Sequence, residues 1–285
     1  MSPFRLRVWV ALAMTAFAAN SLLCRTALRH TALDAATFTT LRLTAGALML
    51  AGLTWQRCRT ATGSKTVAHA GSHWLSALAL FVYAAAFSLA YRTLTAATGA
   101  LLLFGAVQVT MLLAGWRAGE RLHHVQKLGL ALALGGLVGL VLPGLAAPPL
   151  GGATLMIAAG VAWGCYSLRG RGVADPLGAT AGNFLRAVPF ALGLSALLLR
   201  QFQWDSTGAL YALTSGALAS GLGYAVWYTA LRHLTATRAA SVQLSVPVLA
   251  ALGGIVILAE PFSGRLLGSG AAILGGIVLV LSHRR

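Results

Sequence analysis

The sequence predicts an all-α polytopic membrane protein of ten transmembrane helices, arranged as two inverted five-helix repeats. Three observations carry this. Of 285 residues, 58% are hydrophobic and only 9% charged, with a mean hydropathy of +0.79; soluble domains run nearer a quarter charged. The apolar residues fall into ten windows of spanning length. Landmark residues of the first half recur in the second at offsets of 140 and 144.

A span needs roughly 20 mostly apolar residues. The windows are 7–24, 35–53, 73–92, 95–115, 125–142, 150–168, 179–199, 206–231, 236–257 and 263–282. The first reads straight into a spanning helix rather than a cleavable signal peptide. The longest connection, 54–72, is too short for a soluble catalytic module. Formal net charge is +16, yet the 21 Lys and Arg stand singly in the gaps between apolar runs. That pattern suits headgroup anchoring and the positive-inside bias, not nucleic-acid binding. Fourteen lie on the side of the N-terminus, five on the opposite side, and Arg42 and Arg186 inside spans. The asymmetry predicts both termini in the cytoplasm of a bacterial inner-membrane protein.

At an offset of 140, Leu112/Leu252, Glu120/Glu260, Gly135/Gly275 and Gly136/Gly276 coincide; at 144, Arg25/Arg169 and Arg42/Arg186 coincide. Five spans per copy is odd, so the second copy (147–285) enters the bilayer upside down relative to the first (1–146). Secondary transporters use this arrangement, with substrate near the midplane between halves. Duplicated bundles also occur in channels.

The stretch "SVPVLAALGGIVILAEPFSGRLLGSGAAILGGIVLVL" (245–281) resembles the closing helix pair of the EamA half-repeat, from the drug/metabolite transporter superfamily. "AWGCYSLRG" (162–170) resembles the start of its second repeat, and "LRLTAGAL" (41–48) its Arg-bearing second helix. The second copy carries the likeness more strongly. In the first, Val107 stands where Pro247 would be matched, and Ala19-Asn20 replace a Trp-Gly entry. The resemblance implies a ten-helix carrier that exports metabolites, including amino acids, by alternating access. With its interior aromatics the chain looks most like the aromatic amino-acid exporters.

Those aromatics separate from Trp9, Trp55, Trp74, Trp116 and Trp204, which fall near span ends as interfacial belts do. Tyr83, Phe87 and Tyr91 form one stripe on span 3; Tyr224, Trp227 and Tyr228 share a face of span 8; Trp163 and Tyr166 share one of span 6. Such rings stack on a flat amphipathic solute and attract its ammonium, or else pack helices. Amides inside spans need partners, and Gln108, Asn183 and Gln243 are expected as cavity groups. Arg42 and Arg186 are read either as clamps on a substrate carboxylate or as structural caps. Pro247 within span 9 is expected to free a backbone carbonyl, giving either a hinge or a carbonyl ligand for an ammonium. Glu120 and Glu260 end spans on opposite faces, so each is expected to cap the next helix.

The five acids and seven His lie at span edges, which disfavours coupling through a buried carboxylate. Cys24, Cys58 and Cys165 have no metal spacing and read as apolar filler. No catalytic residue, cofactor or metal set is expected, and hence no enzyme. The expected function is inner-membrane export of small metabolites, foremost amino acids, aromatic or otherwise amphipathic, by a facilitated or weakly coupled route. The alternative is a multidrug or organic-cation exporter, or a carrier of another metabolite of the same superfamily. Spans 5 and 10, rich in Gly and Leu, are the expected face of a homodimer; otherwise the chain is a monomer.

Overall fold

The computed structural model describes residues 2–60, 71–117, 123–142, 147–170, 173–231, 233–234 and 242–282. Among them run ten long helices and no strand. They are α1 (Pro3–His30), α2 (Ala35–Thr60), α3 (Trp74–Tyr91), α4 (Ala96–Arg117), α5 (His124–Val141), α6 (Leu150–Arg169), α7 (Pro176–Leu197), α8 (Ser206–Leu231), α9 (Ser245–Leu258) and α10 (Gly264–Ser282). Eight are long and apolar enough to cross a membrane; α7, of 22 residues, and α9, of 14, complete the set. Exposed Leu, Val and Ile side chains cover the outside, and Trp55, Trp74, Trp116 and Trp204 are exposed near helix ends. The chain is a multi-pass membrane protein.

Polar residues set where the helices start. Pro3 opens α1, and the Ser2 hydroxyl accepts from the Arg5 N–H at 3.4 Å. Asp34 accepts from the N–H groups of Ala36 and Thr37 at 3.0 and 2.9 Å, and Asp205 from that of Gly208 at 2.8 Å. Each supplies an anion to donors that have no partner within their own helix. The same two acids tie their loops together, Asp34 accepting from the Gln203 N–H and Asp205 from that of Ala32.

The packing pattern is that of a duplicated unit. Helix α1 packs on α8 and α9, while α6 packs on α3 and α4. Helix α2 packs on α8, while α7 packs on α3; α2 meets α7, α4 meets α9 and α5 meets α10. Shifting every helix by five positions interchanges these pairs.

Glycines let the helices approach closely. A Cβ on Gly129 would lie 2.5 Å from the Gly276 carbonyl oxygen, and one on Gly276 would lie 2.4 Å from that of Gly129. Helices α5 and α10 therefore use these glycines on each other, within one chain. The expectation of a dimer face there is narrowed to what remains outside, notably Leu128, Val138, Leu267 and Val278, all exposed.

Two elements depart from the sequence reading. Helix α8 loosens into a π-helix over Ser215–Leu222, in the run SGALASGL of small side chains. Gly216 in that segment abuts α2 so closely that a Cβ would lie 2.2 Å from the Arg42 carbonyl oxygen. Span 9 is interrupted just before Pro247. Residues 242–243 are helical, Leu244 forms a turn, and α9 begins at Ser245, so Pro247 stands in the first turn. A missing N–H removes no interior helix bond there.

Candidate functional site

A cavity of about 420 Å³ opens where one set of helix ends meets: the start of α3, the ends of α4, α6, α8 and α10, the start of α7, and Gln243 before α9. Eight of the eleven predicted cavity residues line it: Gln108, Trp163, Tyr166, Asn183, Tyr224, Trp227, Tyr228 and Gln243. Trp163 stacks on Tyr224 at 5.6 Å and Tyr224 on Tyr228 at 6.3 Å between ring centroids. Phe17, absent from the predicted set, closes against Tyr224 and Trp227 at 5.5 and 6.2 Å.

The polar groups have a fixed direction. Thr180 donates its only proton to the Pro176 carbonyl at 2.7 Å. The Tyr166 and Tyr228 hydroxyls, 3.4 and 3.1 Å from the Thr180 oxygen, must then both donate to it. Tyr228 keeps lone pairs as acceptors beside the rings, while the Tyr166 hydroxyl also faces the Asn183 side chain. Asn183 accepts from the His73 N–H at 3.0 Å, which turns its NH₂ the other way as a donor. The site can thus hold a flat apolar body by stacking and an ammonium by cation–π attraction and phenolic oxygens. Exposed Arg169 stands at the mouth, its Nε donating to Ser76 at 3.0 Å.

The other three predicted aromatics lie outside the cavity, in a buried ladder behind it. Tyr83 packs on Trp163 at 4.8 Å, Phe87 on Tyr83 at 5.4 Å, and Tyr91 edge-on to Phe87 at 4.7 Å. Tyr91 donates to the Ala96 carbonyl at 3.4 Å, and its ring fills the space where Gly99 lacks a Cβ. The stripe faces α2 and α4, not the cavity, because Arg42 draws its first two rings: the guanidinium carbon lies 5.3 Å from the Tyr83 centroid and 4.9 Å from that of Phe87.

The two intramembrane arginines differ. Half-buried Arg186 donates to the Ser72 hydroxyl and, at 3.3 Å, to the Gly182 carbonyl. Arg42 is fully buried, and its one acceptor is the Tyr83 hydroxyl at 3.1 Å.

Glu260 caps a helix, but not the next one. Ser263 caps α10, its hydroxyl accepting from the Leu266 N–H. Left-handed Ala259 (φ 50°) turns the chain back, so that Glu260 N–H donates to Gly254 and the carboxylate reaches α4 and α1. One oxygen accepts from the Ala96 N–H at 2.8 Å, the other from Arg25 Nε at 2.9 Å. Arg25 also donates to the carbonyls of Tyr91 and Arg92. This buried clasp joins the helix ends opposite the cavity mouth. The repeat match of Arg25 with Arg169 is the mark in the sequence that sets it apart from an anchoring charge. Glu120 lies outside the described residues.

Residues 150–282 match the model of the EamA-like transporter family, in the copy whose motifs are stronger. Over 96% of its length the chain is 61% identical to an uncharacterised protein of Pseudomonas aeruginosa, covering 93% of that protein. The chain belongs to the EamA-like transporter family. It is a transporter and not an enzyme. This EamA-like chain is also 27% identical to a Salmonella typhimurium protein named a probable amino-acid metabolite efflux pump, over 60% of the chain and 62% of that protein. It is 28% identical to an uncharacterised transporter of Archaeoglobus fulgidus, over 58% of the chain and 60% of that protein. A crystal structure covering 100% of both chains, with a TM-score of 0.68 and 20% identity, shares the fold.

Proposed function

We propose that the protein exports amphipathic amino acids, aromatic ones foremost, across a bacterial inner membrane by alternating access. One observation carries this: stacked rings and outward-turned phenolic oxygens, with an amide donor, line a cavity that opens among the helix ends on the Lys- and Arg-rich side. By the positive-inside bias that side is cytoplasmic, which makes this the inward-open state and puts both termini inside. The opposite ends are held by the Arg25–Glu260 clasp, as alternating access requires. The efflux pump among the relatives supports the direction and the substrate class.

The symmetric packing supports two inverted repeats, 1–146 and 147–285, with the cavity between them. A homodimer would use the outer leucine faces of α5 and α10. Among the described residues the cavity lining carries no carboxylate or His, so we infer a facilitated or weakly coupled route.

Counterflow in proteoliposomes tests the reading, with a panel of amino acids, nucleotide sugars and organic cations. Saturable, stereoselective exchange of phenylalanine or tryptophan is expected. Exchange of organic cations alone would replace it with the multidrug alternative. Uphill uptake of substrate driven by a proton gradient alone would overturn the uncoupled route.

A further inference from the structure

Every acid among the described residues is engaged at a helix end. Asp34 and Asp205 cap α2 and α8, Asp175 pairs with Arg57 at 3.0 Å, and Glu260 pairs with Arg25. Arg42 is the opposite case. It is 2% exposed, and its Nε and Nη1 are buried without an acceptor. The Tyr83 and Phe87 rings attract the cation but leave those N–H groups unanswered. Its repeat counterpart Arg186 has acceptors for a cap; Arg42 has one phenol. An arginine cannot shed its proton to relieve burial, and a buried charge persists where it is paired.

Position supplies the second half of the argument. Tyr83, which accepts from Arg42, packs directly on cavity-lining Trp163, and Arg42 is in electrostatic range of Tyr224. The guanidinium is therefore one ring beyond the cavity wall, on the way toward the Arg25–Glu260 clasp. The segment of α8 laid against the Arg42 backbone is the π-helical one, whose loosened hydrogen bonding suits a moving part.

We propose that Arg42 is the carboxylate subsite of the translocation path. The substrate's carboxylate passes the Trp163–Tyr224 wall and accepts from Nε and Nη1, supplying the counter-ion that the described residues do not provide. The inference rests on the amphipathic-exporter reading and names the charged end that the substrate must carry. Arg169, exposed at the mouth, attracts anions without selecting among them.

The test uses the full-length protein in nanodiscs, titrated with four probes: phenylalanine, phenylalaninamide, phenethylamine and 3-phenylpropionate. Wild type, Arg42→Lys, Arg42→Gln and Arg169→Gln are compared, with gel filtration and circular dichroism as the folding check. The wild type is expected to prefer phenylalanine over its amide by about 10- to 100-fold, the span of one or two charge-assisted hydrogen bonds. Arg42→Gln abolishes that ratio, Arg42→Lys keeps part of it, and Arg169→Gln keeps all of it. A folded Arg42→Gln protein that retains the ratio overturns the subsite, as does loss of the ratio in Arg169→Gln instead. Should Arg42→Gln not fold, the wild-type ratio and Arg42→Lys decide: equal binding of acid and amide by the wild type rejects the subsite. Arg42-dependent binding of 3-phenylpropionate without phenylalanine sustains the subsite and rejects the amino-acid reading. Equal binding of phenylalanine and phenethylamine through the rings does the reverse.

Discussion

Thr180 shows how one hydroxyl fixes the polarity of a cavity wall. Its proton is committed to the Pro176 carbonyl, so two phenols are turned toward it as donors and present their lone pairs elsewhere. Thr180→Val keeps the volume and removes the acceptor. The Tyr166 and Tyr228 protons are then free to point into the cavity, where they oppose an ammonium instead of receiving it. A net hydrogen bond is worth about 0.5–1.5 kcal/mol, so binding of phenylalanine should weaken by about 2- to 12-fold. Binding of 3-phenylpropionate, which has no ammonium, should not weaken. Parallel titrations of the two probes check this, and an equal loss for both would reject the acceptor role. Glu260 makes a different point at the same scale. Its type and its place at a helix end were readable from sequence, but the helix it caps was not. A left-handed Ala259 decides that, and alanine carries no mark of such a turn.

Among the described helices, α8 carries the π-helical segment. Its small residues form a packing face: Gly216 lies against the α2 backbone and Gly221 against Met49. The π-helical coil there was not legible, because glycine and alanine permit it without demanding it. A methyl at Gly216 would meet a carbonyl oxygen at 2.2 Å, and backbone cannot rotate away as a side chain can. Gly216→Ala must therefore push α8 off α2, at about 1–3 kcal/mol. A lowered melting temperature in detergent is expected. At Gly193, where a Cβ meets nothing within 4 Å, the same substitution should leave it unchanged or raised. Equal effects at the two positions would show that helix propensity, not close approach, governs α8.

At the scale of the whole molecule, the ten helices and their pairing were legible because bilayer thickness and backbone satisfaction leave few alternatives to a chain this apolar. Which rings face the cavity was legible only in part. Periodicity gives the face of a helix but not its neighbour, so Tyr83, Phe87 and Tyr91 share a stripe and yet pack around a buried cation. The same long-range assembly makes the Arg25–Glu260 clasp a device of the entire fold, since it joins α1, α3, α4 and the α9–α10 turn across 235 positions of sequence. Both side chains are about nine-tenths buried, where removing one partner of an ion pair costs about 3–5 kcal/mol. Arg25 keeps two carbonyl acceptors in Glu260→Gln, so a smaller shift of about 1.4 kcal/mol, or tenfold in the balance of states, is a fair minimum. On the proposed alternating-access reading, the inward-open state loses this much, and an outward-open state with the clasp parted loses nothing. Cys24, fully buried beside Arg25, reports the change. With Cys58 and Cys165 replaced by Ser, an impermeant maleimide added outside should label Cys24 about tenfold faster in Glu260→Gln than in the parent. Glu260→Asp, which keeps an anion for Arg25 and the Ala96 N–H, should return labelling toward the parent rate. Unchanged labelling in Glu260→Gln would mean that the clasp only holds the fold together and does not gate it.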